Sequence, residues 1–133
     1  QAQHDVAYLF ISHDLAVVGY LADYIAVIYR GQLVERGKAE TFFTPPHHPY
    51  TEALLASIPL PDPRAKARRI RLPDEQPNSG VPSGCRFHPR CPRYLGELCQ
   101  TQAPPWHTDD QGRHYRCHIP PHELKALQTE DSA

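Results

Sequence analysis

Three observations in this 133-residue sequence predict an α/β unit followed by a small, irregular, cysteine-rich extension. The first is an unbroken apolar run, Val6 to Ile11, the pattern of a strand buried on both faces of a helix-covered parallel sheet. The second is a composition of fifteen prolines, four phenylalanines, one tryptophan and no methionine, which argues for two small parts rather than one large core. The third is the placement of all four cysteines, Cys85, Cys91, Cys99 and Cys117, beyond a proline-rich stretch.

Each element has its own local signal. Ser12 or Asp14 can cap a helix on which Leu15, Val18 and Leu21 recur at helical spacing. Tyr24–Tyr29 and Gln32–Arg36 flank Arg30 and Gly31, and a glycine between two strand-like runs predicts a hairpin. A short helix over "KAETFF" should stop at Pro45 and Pro46. Pro49 is preset for the first position of another helix, with Glu52 in its positively polarised first turn. Tyr50, Ala53, Leu54, Ser57 and Ile58 then share an apolar face, and the adjacent His47 and His48 read as capping and packing residues. From Pro59 to Gly84 six prolines and no sustained period predict a semi-extended linker. The final dozen residues predict at most a short helix that fades into a disordered end.

Charge and hydropathy exclude several classes. The net charge is −1, but Arg64, Lys66, Arg68, Arg69 and Arg71 concentrate five positive charges in eight residues. Such a run is a solvated linker first, and a contact for an acidic partner or an anionic membrane surface second. Neither interleaved aromatics nor a reading helix accompanies it, so nucleic acid is not expected as a partner. No apolar run approaches the roughly 18 residues of a membrane span and no leader pattern opens the chain, so a soluble, unsecreted protein is expected. In a reducing compartment four cysteines are more often metal ligands than disulfides.

The ordered set "LFISHD", "GQLVERG", "HPYTEALL" and "GCRFHPRCP" closely resembles the C-terminal end of the ATP-binding subunit of bacterial ABC importers of the oligopeptide and dipeptide type. The resemblance implies the C-terminal part of an ABC-type nucleotide-binding domain over residues 1–58, a basic linker over 59–84, a four-cysteine extension over 85–121 and a flexible tail over 122–133. It also implies that His13 reaches the γ-phosphate of ATP, with Mg2+ as the accompanying ion in the intact subunit. That position makes chemical sense, because open parallel sheets bind ligands beyond the carboxyl ends of their strands and an imidazole there can donate to a phosphate oxygen. The glycine-rich phosphate loop, the signature segment and the acidic strand of the family do not occur in these 133 residues. The chain is therefore expected to be a fragment, inactive by itself as an ATPase.

The cysteine intervals are five, seven and seventeen residues, without the close pairs that zinc usually takes. A cubane is larger and presents its iron corners in different directions, so it tolerates irregular loops. The resemblance implies a [4Fe-4S] cluster on Cys85, Cys91, Cys99 and Cys117, with zinc, or unliganded or oxidised thiols, as the alternatives. Arg86, Arg90, Arg93 and Arg116 are placed to offset thiolate charge, and His88, His114 and His118 are neighbours rather than ligands. A segment so poor in aliphatic residues would take folding energy from its metal, which makes the expected role structural. The implied partners are a second ATP-binding subunit, membrane permease subunits and, indirectly, a solute-binding protein, at the cytoplasmic face of the inner membrane. The competing class is a stand-alone structural or redox metal-binding interaction module.

Overall fold

A computed structural model describes residues 6–58, 70–74 and 80–131. Among the described residues four helices, α1 (Leu15–Leu21), α2 (Pro49–Leu55), α3 (Glu97–Thr101) and α4 (Pro121–Glu130), accompany four strands, β1 (Tyr24–Tyr29), β2 (Gln32–Lys38), β3 (Trp106–Thr108) and β4 (His114–Arg116). The strands form one antiparallel sheet in the order β1-β2-β4-β3. Mixed helices and sheet agree with the expected α/β class.

The hairpin forms as its turn residues dictate. Arg30 and Gly31 both hold positive φ, 45° and 72°, the pair of left-handed conformations whose twist matches the flanking strands. Burial alternates strictly along β1, so Ile25, Val27 and Tyr29 face the core while Tyr24 and Ile28 remain exposed. With Val34, Ala39, Phe42 and Phe87 they build the larger core, against which Val18, Tyr50 and Leu54 pack. Ala39–Thr41 is a single 3-10 turn rather than the short helix expected there.

Val6 to Ile11 is not a strand. The segment carries no regular structure and is exposed throughout, with Leu9 and Ile11 almost bare. A strand buried on both faces needs neighbours on its edges and layers above and below, and the described residues supply none. Asp14 nonetheless caps α1, its Oδ1 accepting from the Ala16 and Val17 amides at 2.9 and 3.3 Å.

The cysteine segment is more regular than its sequence suggests. β4 pairs with β2 through Glu35–Tyr115 and Arg36–His114, so the part after the linker continues the sheet of the part before it. Arg113, fully buried, pairs with Asp109 and donates to the Thr44 carbonyl, which fixes the β3–β4 turn against the residues ahead of α2. Nor do the last residues fade immediately. α4 runs for ten residues with Leu124 and Gln128 buried, and Leu124 joins Tyr115 and Ile119 in a second core. Of the expected linker, residues 59–69 and 75–79, including Arg64, Lys66, Arg68 and Arg69, lie outside the described residues, while Leu72 packs on the larger core.

Candidate functional site

His13 lies in a bend on exposed backbone immediately ahead of α1. Ser12 and Asp14 organise that bend, since the Ser12 hydroxyl accepts from the Asp14 amide at 3.0 Å while Asp14 caps the helix. The imidazole is thereby left at the entrance of a capped helix and open to solvent, able to meet a ligand delivered from outside the described residues.

The four cysteines come from separate elements. Cys85 and Cys91 flank the 3-10 turn His88–Arg90, Cys99 lies within α3, and Cys117 follows β4. Gly84 makes the first approach possible, because it holds φ +64° and a Cβ there would come within 2.5 Å of the Cys99 carbonyl. The Cys85 amide then donates to that carbonyl at 2.9 Å. Phe87 is buried between Tyr29, His48 and Tyr50, its ring 5.1 Å from Tyr29, so the cysteine loop is fastened by the larger core itself. Arg86 adds a second tie, donating to the carbonyl of Arg30 in the hairpin turn at 2.7 Å.

All four thiols are free, and Cys85, Cys91 and Cys117 feel the charge of neighbouring thiols. Burial pushes Cys91 up to about 12 and Cys117 up to about 11, and raises Cys85, with repulsion among the thiols adding to each. Backbone amides oppose that rise. Phe87 and His88 donate to Cys85, Arg93 to Cys91, and Ile119 to Cys117 at 3.4 Å. Amide donors aimed at sulfur stabilise thiolates, the form in which cysteine binds metal. The chemistry of the donor set thus fits a thiolate-bound group. Its geometry is looser, since among the described residues no three His, Cys, Asp or Glu side chains are arranged to hold one metal ion.

The neighbouring residues divide differently from expectation. Arg86, Arg90 and Arg93 spend their side chains on the Arg30 carbonyl, the Pro73 carbonyl and Glu52, respectively. Arg116 is the arginine whose charge lowers the Cys85 pKa, and it also stacks on Trp106, 5.5 Å from the ring centre. His88, His114 and His118 each have a ring nitrogen near another partner, the Cys85 carbonyl, the Thr108 hydroxyl and the Gln102 carbonyl.

Sequence reasoning missed the polar network around α2. His48 caps the helix as expected, its Nδ1 accepting from the Tyr50 amide at 3.1 Å. The side of α2 that is most buried, however, includes Thr51 and Glu52 rather than Leu54. Glu52 is clasped by Arg93 and Gln128, which lie 41 and 76 positions away in sequence. Fully buried Glu35 accepts from the His48 amide at 2.8 Å, and its other oxygen lies 3.7 Å from Nδ1 of His47. No local period can announce partners at such separations.

Residues 34–99 match the family model described as the oligopeptide/dipeptide transporter, C-terminal region. The chain is 42% identical to the probable peptide ABC transporter ATP-binding protein y4tS of Sinorhizobium fredii, over 90% of this chain and 34% of that protein. It is 41% identical to the putative oligopeptide transport ATP-binding protein YkfD of Bacillus subtilis, over 90% of this chain and 37% of the relative. Identity to the di/tripeptide transport ATP-binding protein DppF of Pseudomonas aeruginosa is 44%, over 89% of this chain and 36% of the relative. The chain thus spans about a third of the length of the relatives it matches. The matched region and the sustained identity on both sides of it make this chain a member of the oligopeptide/dipeptide transporter family, carrying the C-terminal region of its ATP-binding subunit.

Proposed function

We propose that this chain works as part of an ATP-binding subunit that couples ATP hydrolysis to uptake of peptides or related solutes. It would do so at the cytoplasmic face of a membrane, paired with a second ATP-binding subunit and docked on permease subunits. The observation that carries the proposal is identity above 40% along nine-tenths of the chain to proteins named for peptide transport and ATP binding. The exposed apolar side chains of Val6 to Ile11 and of Tyr20, Tyr24 and Ile28 support it, because relatives about three times as long have chain enough to cover them.

In that setting His13 is the residue that touches the nucleotide. Its imidazole would donate to a γ-phosphate oxygen and stabilise the charge that develops as the terminal bond breaks, while Asp14 holds the turn. In the full-length subunit His13→Ala should lower ATP turnover by about 10² with little change in nucleotide affinity. Turnover near wild type with reduced solute uptake would reassign His13 to coupling. These 133 residues alone should show no turnover, for want of a phosphate-cradling loop.

We further assign Cys85, Cys91, Cys99 and Cys117 as ligands of a [4Fe-4S] cluster, with zinc as the alternative. What supports the larger group is the cysteine spacing, which lacks the close pairs that zinc usually takes, together with the charge of the other three thiols felt at Cys91. Bound there, the cluster would cross-link the 3-10 turn, α3 and the end of β4, a structural contribution. Anaerobically purified protein should carry about four irons and four sulfides and lose them when any one of the four cysteines becomes serine. One zinc without sulfide would replace the cluster by the alternative.

A further inference from the structure

Arg93 belongs to two structures at once. It stands two residues after Cys91 in the cysteine loop, joined to it through Pro92. Its guanidinium donates Nε and Nη2 to the two oxygens of Glu52 at 2.9 and 2.7 Å. Both side chains are more than nine-tenths buried. Nη2 also reaches Asp131 at 2.8 Å, and Gln128 joins the same Glu52 at 3.0 Å while gripping both the amide and the carbonyl of His47 at 2.8 Å. The start of α2, the end of α4 and the cysteine loop therefore meet on one carboxylate.

A buried, bidentate guanidinium–carboxylate pair tolerates little change of angle. Pro92, between Cys91 and Arg93, removes one of the backbone torsions that would otherwise absorb a movement of the sulfur. We propose that Arg93 is a positioning residue that couples the four-cysteine centre to α2 and α4, so that the state of the thiols is felt at residues 49–55 and 121–130. The identity of the group on the thiols rests on the assignment above; the coupling between Cys91 and Glu52 does not.

The test is amide exchange on the full chain, purified without oxygen, with iron, sulfide and zinc measured first. Stripping the metal should weaken protection at residues 50–55 and 122–130 in the wild type. Arg93→Lys keeps the charge without the planar fork, and Glu52→Gln attacks the same pair from the other side. Each should cut the transmitted change about tenfold. Arg90→Lys, whose parent side chain binds the Pro73 carbonyl, should transmit as the wild type does. Equal transmission in all four proteins overturns the proposal, as does loss of transmission in Arg90→Lys. If the protein carries neither iron nor zinc, the cofactor assignment fails, and Cys91→Ala replaces stripping as the disturbance in the same four-way comparison.

Discussion

His48 is a buried histidine whose chemistry is set by one hydrogen bond and one aromatic neighbour. Nδ1 accepts from the Tyr50 amide, which requires a neutral ring, and Phe87 lies 5.6 Å away. Burial accordingly lowers its pKa to about 3. With the folded value below the unfolded value of 6.5, the unfolded chain binds the extra proton first. Stability from this residue is therefore complete above pH 6.5 and lost as pH falls toward 3, at about 1.4 kcal/mol per pH unit. Thermal melts from pH 7 to pH 5 should record that slope, and His48→Asn, which retains a capping side chain, should flatten it. Phe87 acts through packing instead. Its ring is fully buried among three aromatic partners, so Phe87→Ala should cost about 3–5 kcal/mol in chemical denaturation. The helix cap at Asp14, Pro49 at a helix start and the capping role of His48 were all legible in the sequence, since each concerns partners within three residues. The Arg93–Glu52 pair was illegible for the opposite reason.

At the scale of elements, the sequence over-read two segments, Val6 to Ile11 and the single 3-10 turn Ala39–Thr41, and under-read two. Val6 to Ile11 has the composition of a buried strand, but composition states only what a segment needs, and the needed neighbours are not among the described residues. β3 and β4 have three residues each, too short for a period-2 signal, and their pairing depends on the turn Asp109–Arg113. The one available hint was Gly112, which holds φ +76° in that turn. α4 looked weak because its apolar residues are few, yet Leu124 and Gln128 both find buried partners. A structural helix and a loose tail predict different energies. Leu124→Ala should destabilise the chain by about 2–5 kcal/mol, whereas Lys125→Ala, at a half-exposed surface pair with Asp110, should stay within about 0.5 kcal/mol. Equal, negligible effects in urea titrations would return the helix to the status of a tail.

For the whole molecule, the decisive fact is that the sheet crosses the linker. A proline-rich connection between two composition classes suggested two modules with few contacts between them, in which loss of a bound group would loosen one part and spare the other. Among the described residues, the pairing of β2 with β4, the seat of Phe87 in the hairpin's core and the buried pairs on Glu52 join the two sides of the linker. Modules that share a sheet and a core unfold together. Trp106, the single tryptophan, stands on β3 at one end of the sheet, and Ile25 and Val27 lie in β1 at the other. Urea transitions followed by Trp106 emission and by amide exchange at Ile25 and Val27 should therefore share one midpoint. Cys99→Ser, which alters the thiol of a residue whose carbonyl receives the Cys85 amide, should lower both midpoints equally. Two separated midpoints, or a fall at Trp106 alone, would mean that the two-residue-pair seam between the halves is weaker than the aromatic core beneath it, and would restore the two-module description.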